Sequence, residues 1–97
     1  MKKLLTLTLV VFFPVVSHGF DVKNYCKQVS DISGGSYQIE ESCLQMEIES
    51  RNNINAMKVP SRIKKYCQEI GQIAGGSYAI MEQCIIEELA AKKRISQ

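Results

Sequence analysis

A repeat with a period of 41 residues constrains this chain more than any other feature. Tyr25-Cys26-Lys27-Gln28-Val29 answers to Tyr66-Cys67-Gln68-Glu69-Ile70, and Ile32-Ser33-Gly34-Gly35-Ser36-Tyr37 answers to Ile73-Ala74-Gly75-Gly76-Ser77-Tyr78. Further on, Ile39, Glu41, Cys43 and Glu47 match Ile80, Glu82, Cys84 and Glu88. Aligned without a gap, residues 25–54 and 66–95 are identical at twelve of thirty positions. Several differences keep apolar character, such as Val29 for Ile70 and Ile48 for Leu89. A segment has been duplicated, and each copy is a unit that must fold the same way twice.

Each unit reads as helix, tight turn, helix. Apolar residues fall at Val22, Tyr25, Cys26, Val29 and Ile32, and again at Ile63, Tyr66, Cys67, Ile70 and Ile73. Steps of three and four mark one face of an amphipathic helix. Gly34-Gly35 and Gly75-Gly76 can take the left-handed conformation that ends a helix. Ser36 and Ser77 then stand as N-caps of the next helices, as Asp21 and Ser61 do for the first and third. The second helices carry Ile39, Cys43 and Met46 in one copy and Ile80, Cys84, Ile85 and Leu89 in the other. Lys92, Lys93 and Arg94 sit at the negative end of the last helix dipole. Asn52-Asn53, Asn55 and Val59-Pro60-Ser61 read as helix end, linker and new start.

The cysteines test this geometry. Cys26 and Cys43 each lie eight residues from the nearer glycine of Gly34-Gly35, and Cys67 and Cys84 stand in the same relation to Gly75-Gly76. Residues equidistant from the turn of an antiparallel hairpin lie level across it, within bridging distance if both face inward. Of the three pairings open to four cysteines, Cys26–Cys43 with Cys67–Cys84 gives each copy its own staple. Closing such a loop is worth about 3 kcal/mol on the chain-entropy model.

The start of the chain reads as an export address. Lys2 and Lys3 precede an apolar run from 4 to 16, and Ser17 and Gly19 supply small residues before a cut ahead of Phe20. The run is too short for the roughly twenty residues that span a bilayer, and it contains Pro14. Residues 21–25 lack the small and apolar residues that would make Cys26 a lipid-anchored terminus. The expected mature domain is therefore 20–97, with repeats at about 22–54 and 62–95. Export to the periplasm or the medium also permits disulfides, which so small a core needs.

Loss of residues 1–19 removes two lysines and His18, leaving ten basic and ten acidic residues. A neutral chain has no bulk attraction for nucleic acid or anionic lipid, and one without histidine lacks the commonest general base and metal ligand. Structural zinc favours cysteines two to four residues apart, whereas about sixteen intervene here, and no Cys-x-x-Cys redox pair occurs. Gly-Gly-Ser-Tyr lacks the lysine of a phosphate loop and the third glycine of a dinucleotide fingerprint. No cofactor, metal or catalytic set is expected. The tyrosines at the turns, Tyr37 and Tyr78, are expected to lay their rings on the partner helix, or to form a repeated recognition site. Glu41 and Glu82 are further interaction candidates because the duplication repeats them. Glu47 and Glu88 share that property, and all four are read as helix-surface groups that can support their hairpins through ion pairs.

Charge divides unequally between the copies. Residues 20–57 carry three basic and six acidic groups, and residues 58–97 carry seven and four. Opposite net charges of −3 and +3 can draw the hairpins together within a chain, or between chains as a homodimer.

The Cys…Gly-Gly-Ser-Tyr…Cys unit, with glutamates after the tyrosine, resembles a pattern in small exported bacterial proteins that carry no assigned function. The resemblance covers residues 25–54 and 66–95 and implies the same fold and compartment, with no activity attached. The expectation is an all-α protein: two tandem disulfide-stapled antiparallel helical hairpins packed as a compact four-helix arrangement. Its expected role is non-enzymatic binding of another protein, or a structural role. The alternative is a small secreted enzyme or toxin that uses Glu and Tyr chemistry. Membrane-surface attachment through the basic last helix is disfavoured, since Glu87 and Glu88 interrupt its polar face.

Overall fold

The computed structural model describes residues 19–97 and shows four α-helices: α1 (Val22–Ile32), α2 (Tyr37–Ala56), α3 (Ser61–Ile73) and α4 (Tyr78–Ile95). The export segment expected over 1–19 lies, Gly19 apart, outside the described residues. Helix α1 pairs with α2 and α3 with α4, and the two hairpins meet through α2 and α4. Among the described residues no helix is long and apolar enough to cross a membrane.

Each hairpin turn is built as its sequence requires. In the first, the Gly35 amide donates to the Ser30 carbonyl at 2.7 Å and the Gly34 amide to Asp31 at 3.2 Å. In the second, Gly76 donates to Gly71 at 2.9 Å and Gly75 to Gln72 at 3.0 Å. This paired closure satisfies the last carbonyls of a helix and needs a left-handed residue just beyond it. All four glycines supply it, with φ between 84° and 103°. Ser36 Oγ then accepts from the Ile39 amide, and Ser77 Oγ from the Ile80 amide, each at 3.2 Å.

Both staples form as the spacing predicts. Cys26 bonds Cys43 with Cα atoms 5.6 Å apart, and Cys67 bonds Cys84 at 5.5 Å. Cys26 and Cys67 are fully buried. The apolar core centres on Ile54, Ile63, Cys67, Met81 and Ile85, with Phe20, Met57, Val59, Tyr78 and Leu89 packed around it. It therefore draws on both hairpins, but more from the second.

Four local expectations are corrected. Helix α2 runs through Asn52, Asn53 and Asn55 to Ala56, because Ile54 is anchored in the core and carries the last turn with it. The linker is consequently only residues 57–60. Ser61 is already helical; extended Pro60 takes the cap position of α3 with no side-chain cap, although Asp21 does cap α1 through the Asn24 amide at 3.1 Å. Ile32 and Ile73 follow the apolar period but are 87% and 83% exposed, since they end their helices where the chain turns away. Glu47 is the fourth. It is 2% exposed and binds the other hairpin, not its own.

Candidate functional interface

The joint between the hairpins is a clasp in which one face of the first hairpin grips the turn of the second. Glu47, from the middle of α2, is its polar centre. Its Oε2 accepts from the Ser77 hydroxyl at 2.6 Å and its Oε1 from the Tyr78 amide at 2.5 Å. A helix leaves its first amides without internal partners, and a carboxylate at the N-terminus also meets the positive end of the dipole. Glu47 thus caps α4 from outside while Ser77 caps it from within. Ser77 is 1% exposed, its hydroxyl donating to Glu47 and accepting from Ile80, so the pair presents no nucleophile to solvent.

Aromatic residues close the clasp around the turn glycines. The Phe20 ring lies on Gly71 and Gly76, and a Cβ at Gly71 would stand 3.0 Å from that ring and 2.9 Å from the Ser77 carbonyl. Phe20 also stacks on Tyr78 with ring centroids 4.8 Å apart, and its amide donates to the Tyr78 hydroxyl at 2.9 Å. The Tyr25 ring packs over Gly75. At the far side, Asn53 Nδ2 donates to Glu82 Oε2 at 3.0 Å.

Two of the four candidate residues, Tyr78 and Glu82, are therefore taken up inside the molecule. Tyr78 rests on Phe20 and packs against the core cluster that includes Ile63 and Cys67. Tyr37 and Glu41 hold the equivalent positions on the first hairpin and face solvent, Tyr37 at 85% exposure. A Cβ built on Gly34 or Gly35 would meet nothing within 4 Å. The turn of the first hairpin is open.

The complementary vacancy lies on the second hairpin. Shifting the clasp face by the repeat period leads to a groove of about 500 Å³ between α3 and α4, lined by Arg62, Tyr66, Glu88, Ala91, Lys92 and Ile95, among others. Tyr66 and Glu88 stand where Tyr25 and Glu47 hold the turn of the second hairpin, and Ala91 and Ile95 stand where Ser50 and Ile54 are buried. Ile95 is 82% exposed although its counterpart Ile54 is in the core. The local sequence pattern marks neither this groove nor the packing role of Phe20. The repeated Glu47/Glu88 pair was the available signal, since a glutamate kept at one helical position in both copies can serve as a cap for a neighbouring helix.

Among the described residues no group of three or more His, Cys, Asp or Glu side chains could hold a metal ion. Comparison with protein-family models, with curated proteins and with solved structures finds no match to this chain.

Proposed function

We propose that the protein is an exported, non-enzymatic binding module, and that the groove between α3 and α4 docks an exposed turn and helix start of a protein partner. One observation carries this reading. The groove carries Tyr66 and Glu88 at the repeat positions of Tyr25 and Glu47, which grip such a turn elsewhere in the same molecule. A single carboxylate, Glu88, lines it. That suits the capping of a helix start better than acid–base chemistry by paired carboxylates. Two disulfides fit an oxidising compartment, periplasmic or extracellular, and export through residues 1–19 accounts for how the chain would reach it. The resemblance to small exported bacterial proteins agrees with this placement.

A photo-crosslinking residue at Ala91, on the groove wall, tests the reading in producing cells, with the same residue at exposed Lys27 as control. The expected result is a protein adduct from position 91 that Glu88→Gln suppresses and that position 27 does not give. No protein adduct at 91, or one indifferent to Glu88→Gln, overturns the proposal.

A further inference from the structure

Resting on that reading of the groove, we propose that its occupant is a second copy of this chain, which inserts the open turn of its first hairpin head to tail. The internal clasp serves as the template. Shifted by 41 residues on both sides, the Glu47 and Tyr25 contacts find counterparts, while those of the Phe20 ring do not. Glu47 on Ser77 and Tyr78 becomes Glu88 on Ser36 and Tyr37 of the next copy. Tyr25 over Gly75 becomes Tyr66 over Gly34. The groove lies open between α3 and α4, and the turn of the first hairpin is bare.

The substitutions between the copies are matched in pairs. Inside the molecule, Phe20 needs Gly71, because a Cβ there would press on the ring. In the shifted contact Phe20 becomes Ser61 and Gly71 becomes Ser30, so the large residue is gone where the small one is gone. The Asn53–Glu82 hydrogen bond, in which only the carboxylate is charged, becomes Arg94 opposite Glu41, an ion pair. Met81, buried in the core, becomes Glu40, while exposed Asn52 becomes Lys93. The turn end has gained acid and the groove end has gained base. The net charges of the two halves, −3 and +3, point the same way.

Such an interface is heterologous: it uses different surfaces of the two partners and leaves one of each unused. It therefore propagates into a ring or a filament and does not stop at a two-fold dimer. It is also weaker than the internal clasp. The linker of residues 57–60 gives the internal contact a high effective concentration, which a second chain lacks. Its charged contacts make it sensitive to salt.

Sedimentation of the oxidised protein from micromolar to millimolar concentration is the test. The expected result is an average mass that climbs past the dimer with concentration and falls back as salt is added. Glu41→Arg and Arg94→Glu, both at exposed positions, should each sediment as monomers with unchanged helical circular dichroism. An equimolar mixture of the two should associate again, because each supplies the charge the other lacks. A wild-type monomer throughout at low salt, a dimer that stops there, or assembly that neither variant weakens would each overturn the inference. If the wild type is monomeric while the Ala91 cross-linker still captures a different protein through Glu88, only the self-assembly inference falls. If Ala91 captures nothing, the groove reading falls with it.

Discussion

Gly-Gly-Ser-Tyr occurs twice in this molecule with one backbone geometry and two fates. At 34–37 it is exposed, with Tyr37 projecting into solvent; at 75–78 it is gripped, with Ser77 buried and Tyr78 held by Phe20. Both turns close through glycine amides and carry the same serine cap, while the Ser77 amide adds a bond to the Gly71 carbonyl and the Ser30 hydroxyl one to the Ser36 carbonyl. The larger difference lies in what approaches from outside. Local sequence builds the turn, and its neighbour decides whether the turn is core or surface.

Substitutions at equivalent positions in the two copies should separate these roles. The largest contrast is expected at the paired glutamates. Glu47→Ala strands the Ser77 hydroxyl and the Tyr78 amide in a buried site and should cost about 3 kcal/mol. Glu88→Ala should stay within about 0.5 kcal/mol in the dilute protein, as surface substitutions do. Urea titration at low concentration measures both, and equal losses would break the comparison.

A middle-sized effect is expected at Gly71. Gly71→Ser installs the residue that the first copy has at Ser30, where the hydroxyl donates to the Ser36 carbonyl at 2.8 Å. At 71 the new Cβ meets the Ser77 carbonyl and the Phe20 ring. The crowding should outweigh the better helix propensity and destabilise by about 2 kcal/mol. Phe20→Ala should recover part of that loss when combined with it, an interaction that a double-mutant cycle reads directly. Strict additivity would show that the ring does not dictate the glycine.

The smallest contrast is at the tyrosine hydroxyls. Tyr78→Phe removes the acceptor of the Phe20 backbone nitrogen and should cost about 1 kcal/mol. Tyr37→Phe, in solvent, should leave the thermal midpoint of the dilute protein unchanged.

Much of this architecture is legible in the residues. The apolar period marks the helices, the glycine pairs mark their ends, and cysteines equidistant from each turn settle the staples. Reading failed where a distant contact overrode a local preference. The asparagines at 52, 53 and 55 favour a helix end, yet Ile54 fixes that turn in the core. Glu47 looks like any surface glutamate of a helix, and nothing near it in sequence shows that the N-terminus of α4 will settle on it. Tyr37 and Glu41 repeat as Tyr78 and Glu82, and repetition alone does not tell a buried copy from an exposed one.

The sequence by itself determined two like hairpins, their helices, turns and disulfides, because all of these follow from contacts within about twenty residues. Only the tertiary structure decided that the face around Glu47 meets the turn around Ser77, leaving the groove around Glu88 and the turn around Ser36 unpaired. The physical reason is the duplication. Two copies offer the same two surfaces, and joining them head to tail uses one surface of each. Which ones are used depends on the short linker and on the few substitutions, such as Gly71 beneath Phe20, that let one turn fit.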